Sequence, residues 1–357
     1  MIKIGAKEIG AKSPVFVVAE IGCNFEGSLA RAKEMIKAAA AAGADAVKFQ
    51  TFVPDKLVTR DAPKFWDIKG CQGETQYEEF EATPRLSLDQ YKVLKKVADG
   101  LGLIFFSTPS DEGSADMLEE VGVPLFKVSS MDITHLPLLK HLARKGKPVI
   151  LSTGASTLEE IREAVEAIES EGNHQIAILH CITNYPTKIE DANLNMMKHI
   201  MEAFPQYPVG YSDHTKMPES MCVLIAAVAM GAKVIEKHFT FDNSRPGYDH
   251  EISADYEDLR NMIESFRVIE RAMGIKIKKP VPSEMRARKW ARRSLVATKA
   301  IPKGAVITGE MIAVKRPGSG IAPKFLKDVI GKRAGKDIKE DEVITWGMLT
   351  KHDRRSR

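Results

Sequence analysis

Apolar runs of about five to seven residues, rich in Val, Ile, Leu and Phe, recur along most of the chain. Between them lie stretches whose apolar residues return every three to four positions. The runs predict strands at 15–21, 44–49, 103–107, 125–129, 148–152, 176–181, 209–212 and 234–239. The intervening stretches predict helices at 28–42, 87–101, 114–121, 135–145, 157–170, 194–204, 218–230 and 256–273. The runs are near-continuous rather than alternating, as expected of parallel strands covered by helices. Eight strands in strict alternation with eight helices predict a (β/α)₈ TIM-type barrel, and the count favours it over an open doubly wound sheet. Ser87, Ser114 and Thr157 stand where helices should start, and Thr157 with Glu160 forms a capping-box pattern. Gly43, Gly102, Gly122 and Gly146 stand where helices should stop. Before all of this, two short pieces around Gly5-Ala6-Lys7 predict a small hairpin.

The pattern changes after Gly274. Residues 275–293, rich in Lys, Arg and Pro, are expected to link a barrel domain (1–274) to a small, mostly β domain (294–357). A module of that size has little core of its own, so it should lean on its own barrel or on a partner chain. The basic run 286–293 fits a solvated linker face better than a polyanion site.

With 52 basic and 48 acidic residues among 357, the formal net charge is +4. That mild excess suits anionic small molecules, not nucleic acid, which calls for a dense basic face. Cys23, Cys71, Cys181 and Cys222 form no CxxC pair and are expected as reduced thiols in a cytoplasmic protein, Cys181 as a small buried filler. No leader pattern opens the chain and no apolar run is long enough for a membrane span, so no membrane partner is expected. Neither a GxGxxG after a strand nor a Walker motif appears.

In such barrels, chemistry sits at the C-terminal ends of the strands. The predicted ends offer Glu20, then Lys48 and Gln50, then Thr108, then Lys127, Ser130 and Asp132. Ser152, Thr183 and Tyr185, Ser212 and His214, and finally Glu236, Lys237 and His238 follow, and Asn24 stands just beyond the first strand. Lysines inside AVKFQ and LFKVSS need anionic partners, because an isolated buried charge is costly. Lys48 and Lys127 with the surrounding hydroxyls therefore form a candidate cradle for phosphate and carboxylate. His214 and His238, on neighbouring strand ends, could share one divalent cation, and mixed His and oxygen ligands fit Mn²⁺, Zn²⁺ or Fe²⁺. Glu20 is a candidate general acid or base, a role compatible with an ion pair to Lys48.

The stretches AEIGCNFEGS, GADAVKFQ, FFSTP, FKVSS, ILSTG, HCITNYP, GYSDHT, EKHFT, RPGYDH and VKRPGSG together resemble the sialic acid synthase family of neuraminate, legionaminate and pseudaminate synthases. The chain's end is similar to the SAF, or antifreeze-like, domain of that family. The resemblance implies a domain-swapped homodimer acting on phosphoenolpyruvate and an N-acylated amino sugar. It implies His214 and His238 as ligands of a catalytic metal, Mn²⁺ first, with Mg²⁺ or Co²⁺ as alternatives. It implies a phosphoenolpyruvate site from Lys48, Thr108, Lys127, Ser130, Ser152, Thr183 and Ser212. It implies sugar contacts from Gln50, Asp132, Tyr185 and Asp249, with Arg316 reaching in from the partner's small domain. Glu20 matches the family's active-site glutamate, while Phe25 stands where many relatives carry histidine or asparagine.

The expected activity is that of a transferase condensing phosphoenolpyruvate with N-acetylmannosamine and water to give N-acetylneuraminate and phosphate. The alternative sugar is a diacetamido-trideoxyhexose, as in legionaminate or pseudaminate synthesis. A Schiff-base aldolase using Lys127 or Lys237, or a non-catalytic polysaccharide-assembly protein, are the other readings weighed.

Overall fold

A computed structural model describes residues 1–66, 70 and 73–350; Cys71 and the chain end beyond 350 lie outside the described residues. The chain divides into two compact units, Met1–Gly274 and Ile275–Arg357.

The first unit opens on an antiparallel hairpin, β1 (Ile2–Ile4) with β2 (Lys7–Ile9), turning at Gly5. Eight parallel strands follow: β3 (Phe16–Gly22), β4 (Ala46–Thr51), β5 (Ile104–Pro109), β6 (Phe126–Val128), β7 (Val149–Ser152), β8 (Ile176–Cys181), β9 (Val209–Asp213) and β10 (Val234–His238). Their hydrogen-bonded order, β5-β4-β3-β10-β9-β8-β7-β6, makes a barrel closed but for the seam between β5 and β6. Every residue of β3, β9 and β10 is buried, so their sequences begin on apolar residues without alternation and carry polar residues only toward their C-terminal ends. Gly210 belongs to this packing, since a Cβ there would stand 2.2 Å from the Val234 carbonyl oxygen.

The helices are α1 (Leu29–Ala42), α2 (Pro54–Leu57), α3 (Gln76–Ala82), α4 (Leu88–Gly100), α5 (Glu112–Val121) and α6 (Leu136–Arg144). They continue with α7 (Leu158–Glu169), α8 (Asn195–Ala203), α9 (Glu219–Ala229) and α10 (Tyr256–Met273). All eight expected strands and eight expected helices are present, with ends displaced by no more than two residues. Ser87 and Thr157 each close a capping box, with Gln90 and Glu160 respectively. Gly43 and Gly122 adopt the left-handed conformation that ends α1 and α5. Ser114 does not start its helix. The Asp111 carboxylate accepts the Ser114 amide at 3.1 Å, and α5 begins two residues earlier than expected. The excursion from β4 to α4, residues 52–87, carries the two short helices α2 and α3, which no periodic pattern announced.

In the second unit, the expected linker contains a short helix, α11 (Met285–Trp290). Strands β11 (Ser294–Ala297) and β12 (Ile312–Lys315) then pair antiparallel, and α12 (Leu326–Val329) follows. Leu295, Ile301, Ile307, Ile321, Ile338 and Ile344 centre a small separate core. Among the described residues no helix is long and apolar enough to cross a membrane.

Period-two alternation sorts β10 by face. Lys237 lies on the face turned to the helices, fully buried, with its ammonium 2.7 Å from Asp213 Oδ2 and 2.6 Å from the Thr215 carbonyl oxygen. Asp213 also accepts the Ser220 hydroxyl of α9 at 2.6 Å. This corrects the assignment of Lys237 as a candidate Schiff-base lysine, because the pair is consumed in joining β9, β10 and α9. Removing one partner would strand the other charge in the core. Lys237→Ala should lower unfolding stability by about 3–5 kcal/mol. The double variant Lys237→Met with Asp213→Asn should recover most of it. Denaturant unfolding of the three proteins decides, and equal losses in single and double variants would contradict the pairing.

Candidate active site

The strand ends open into a cavity of about 520 Å³. Parallel register sets its floor: Glu20 on β3 lies beside Lys48 on β4 and His238 on β10, while Gln50 lies beside Thr108 and Cys181 beside Ser212. Fourteen of the fifteen site residues expected from sequence line this one cavity: Glu20, Lys48, Gln50, Thr108, Lys127, Ser130, Asp132, Ser152, Thr183, Tyr185, Ser212, His214, His238 and Asp249. Arg316 is exposed in the second unit, just after β12.

Two buried lysines share one buried carboxylate oxygen. Glu236 Oε1 stands 3.2 Å from the Lys48 ammonium and 3.7 Å from that of Lys127, and accepts the Ser212 hydroxyl at 3.0 Å. Lys48 also lies 3.4 Å from Glu20 and donates to the Thr108 hydroxyl at 3.3 Å. Among the described residues, Lys127 otherwise donates to its neighbouring Val128 carbonyl alone, at 3.1 Å. Among the described residues, Glu236 Oε2 and the Ser152 hydroxyl are buried without a hydrogen-bond partner, and Glu20 Oε2 has only the Lys48 ammonium at 3.4 Å. Of these only the Ser152 hydroxyl is a donor, and a buried donor facing a cavity with nothing to donate to is costly. The two ammoniums and this hydroxyl are the groups of the floor that could meet an anionic ligand, while the carboxylate oxygens could meet only a donor. Behind it, the Gly154 amide donates to Ser130 Oγ at 2.9 Å, and a Cβ on Gly154 would stand 2.5 Å from the Thr183 methyl.

Burial and charge separate the two glutamates. Burial works to raise Glu236, but the ammoniums of Lys127 and Lys48 outweigh it and hold the carboxyl down at about 2. Glu20 is pushed up to about 7 by burial, against Lys48 and with Glu236 adding to the rise. One carboxyl therefore stays a fixed anion while the other sits ready to exchange a proton near neutrality. Burial also lowers the pKa of Lys127, and raises Asp132 and Asp249 to about 6.

The two imidazoles lie side by side, ring centroids 5.3 Å apart, with the Tyr185 ring 4.1 Å from that of His214. His214 Nδ1 donates to the Ile182 carbonyl at 2.6 Å, which leaves Nε2 with a free lone pair. His238 Nδ1 is buried without a hydrogen-bond partner, 3.3 Å from Asp249 Oδ2. Burial pushes His214 down to about 4 and His238 well below its usual range, so both rings are neutral. Neutral, oriented imidazoles with open nitrogens fit the donor set of a divalent cation. Among the described residues no third His, Cys, Asp or Glu joins them in one metal-sized cluster, so further ligands would be substrate or water.

Sequence reasoning gave three features of the site no role, although it placed two of them, Glu236 and Asn24, at strand ends. The alternation that puts His238 on the cavity face puts Glu236 there too. Asn24 is buried and staples two loops, donating to the Phe239 carbonyl and the Ser253 hydroxyl at 3.0 Å each and accepting the Asp249 amide at 3.1 Å. It thereby holds Asp249 beside His238. The third is an apolar wall from the excursion after β4, including Phe52, Trp66 and Phe80, which carries no motif.

Residues 35–278 match the NeuB family and residues 292–350 the SAF domain. An uncharacterized protein of Methanocaldococcus jannaschii is 41% identical, with 98% of each chain covered. The N,N'-diacetyllegionaminic acid synthase of Legionella pneumophila is 40% identical, with 96% of each chain covered. Among solved structures, the spore coat polysaccharide biosynthesis protein SpsE of Bacillus subtilis aligns with a TM-score of 0.66 at 36% identity, covering 98% of this chain and 99% of that one. The chain belongs to the NeuB family, among whose members are relatives named as N,N'-diacetyllegionaminic acid, N-acetylneuraminate-9-phosphate and pseudaminic acid synthases, and it carries a SAF domain after the barrel in sequence.

Proposed function

We propose that the protein condenses phosphoenolpyruvate with the aldehyde of an open-chain N-acylated amino sugar, giving a nine-carbon sugar acid and phosphate. The observation that carries this reading is the floor itself: two buried lysines around one carboxylate oxygen, with an unpartnered Ser152 hydroxyl beside them. That arrangement suits a small polyanion. The carboxylate and phosphate of phosphoenolpyruvate would take up Lys48, Lys127, Thr108, Ser130, Ser152, Thr183 and Ser212.

The aldehyde then meets C3 of phosphoenolpyruvate above this floor, within reach of Gln50, Asp132, Tyr185 and Asp249. A carbon–carbon bond forms and the aldehyde oxygen takes a proton. Water adds at C2, and the bond from C2 to the phosphate oxygen breaks. Glu20, protonated below about 7, is the group placed to deliver the first proton, and as a carboxylate it can accept one from the attacking water. His214 and His238 would hold a divalent cation, Mn²⁺ in this reading, and the chemistry it supplies is Lewis-acid polarisation of a carbonyl. The name of the Legionella relative favours a diacetamido sugar; N-acetylmannosamine is the other member of the class.

One panel tests this. Protein with Mn²⁺ and phosphoenolpyruvate should release phosphate only when an N-acylated hexosamine is present, and EDTA should stop release until Mn²⁺ is returned. Sugar-independent release, or full activity after metal stripping, would sink the reading.

Glu20 gives a second test, independent of catalysis. Its carboxyl titrates at about 7 in the folded chain against 4.5 ordinarily, so the folded state holds a proton that the unfolded state has lost. Its contribution to stability is complete below about 4.5 and disappears as pH rises through about 7. Glu20→Gln should remove that slope: relative to the variant, the parent should lose thermal stability across this window. Parallel curves in the two proteins would show that Glu20 is ionised throughout.

The family resemblance assigns Arg316 to the sugar site of a second subunit in a swapped dimer. Arg316→Ala chains, expected to fold with a weakened sugar constant, and Glu20→Ala chains should on mixing regain up to half the normal activity per mixed dimer. Demonstrated subunit exchange with no recovery would place Arg316 elsewhere.

A further inference from the structure

The loop that follows β10 returns to its own strand. The Ala254 amide donates to the His238 carbonyl at 2.8 Å, and the Thr240 amide to the Ala254 carbonyl at 3.0 Å. Residues 240–253 thus form a loop closed at its base, and it carries Asp249 to 3.3 Å from the His238 ring. Closure at the base leaves the far part of the loop to be placed by other contacts.

Those contacts come from the turn after β3. Asn24 holds one side by accepting the Asp249 amide. Two residues further on, Glu26 holds the other. Its Oε2 lies 2.7 Å from the Arg245 guanidinium. Its Oε1 lies 2.6 Å from the guanidinium of Arg31 on α1 and 3.2 Å from Nε2 of the buried His250. His250 Nδ1 in turn lies 2.7 Å from the Thr240 hydroxyl at the loop's base. Glu26 therefore grips the loop on both sides of Asp249 and ties it to a helix of the barrel wall. Neither Glu26 nor His250 lines the cavity.

Two observations separate this cluster from an ordinary surface ion pair, which contributes little. Glu26 at φ 51° and Tyr248 at φ 46° both adopt the left-handed conformation, which residues with a side chain hold only where their surroundings impose it. In addition, His250 Nε2 is buried and, among the described residues, has no hydrogen-bond partner; the Glu26 carboxylate is the group it faces. Removing that carboxylate would leave a buried polar atom with nothing opposite it, and the loop would have to move to relieve the cost.

We infer that Glu26 is a positioning residue. Acting through His250 and Arg245, it sets Asp249 beside His238, and so governs how tightly the imidazole pair holds a divalent cation. Its effect on the sugar, which Asp249 would contact, rests on the synthase reading above.

A double-mutant cycle of Glu26→Ala and Asp249→Asn tests this, read as Mn²⁺ affinity without substrates from the EPR signal of free Mn²⁺. Each single variant should bind Mn²⁺ more weakly by on the order of tenfold, the scale of an outer partner that orients a ligand histidine. The double variant should be no weaker than Asp249→Asn alone, because Glu26 acts through Asp249. Glu26→Gln, which keeps an acceptor facing His250, should recover part of the loss. In turnover, Glu26→Ala should raise KM for the N-acylated sugar several-fold and leave KM for phosphoenolpyruvate in place.

Losses that multiply in the double variant, or a folded Glu26→Ala chain with parental Mn²⁺ affinity and sugar KM, would overturn the assignment. If Glu26→Ala does not fold, Glu26→Gln takes its place in the cycle, with a smaller loss and the same absence of further weakening in the Asp249→Asn background. Phosphate release with no N-acylated sugar would overturn the synthase reading instead, and the Mn²⁺ cycle would still decide the role of Glu26. A parent protein that binds no Mn²⁺ would overturn both.

Discussion

The cluster Lys48–Glu236–Lys127 is the constraint around which the barrel interior is arranged. Two ammoniums buried at 5% and 3% exposure cannot persist without a counter-charge, and Glu236 supplies it. A single carboxylate does not match two lysines. The second acid, Glu20, is driven by burial toward its neutral form, so the free site retains a positive excess. That excess is what an anionic ligand would complete. The same imbalance explains why one carboxyl is a permanent anion and the other an exchangeable proton.

Period-two geometry distributes these roles along β10. Glu236 and His238 face the cavity and Lys237 faces the helices, so three consecutive polar residues in an apolar strand do three different jobs. Lys237 and Asp213 tie the outer faces of β9 and β10 together, while the next residue of each strand, His238 and His214, is presented to the cavity. The close passage of β9 past Val234, which only Gly210 permits, brings those two strand ends together. The imidazole pair thus depends on packing and charge on the opposite face of the same strands.

Most of the barrel was legible because its signal is redundant: eight apolar runs, eight amphipathic stretches, and glycines where helices end. What was not legible lacked a period. Asp111 rather than Ser114 caps α5 because both residues suit a cap and only the side-chain hydrogen bond chooses. The excursion of 52–87 contains short helices and aromatic contacts that form no repeat, so its place above the cavity could not be read. Glu236 was hidden differently. Its strand and its face were both inferable, but its bond to two lysines on other strands is a property of barrel closure and not of any local pattern. Asn24 likewise acts across more than 200 positions of sequence, holding the loop of Asp249 through three hydrogen bonds.

These differences also bear on where substrate discrimination can reside. Each charged residue of the floor is coupled to others: altering Lys48, Lys127, Glu236 or Glu20 changes the charge balance for all four. A change of sugar preference made there would disturb the anion site as well. The excursion after β4 carries no such coupling. The Trp66, Gln76 and Thr83 donors are engaged within it, and Phe52, Trp66 and Phe80 line the cavity without joining the lysine cluster. Substituting one aromatic ring in it exchanges a patch of apolar surface and leaves the floor's charges in place. A barrel built in this way keeps its coupled charges on strand ends, where register fixes geometry. In the segment after β4 an aromatic side chain can change without unbalancing a buried charge.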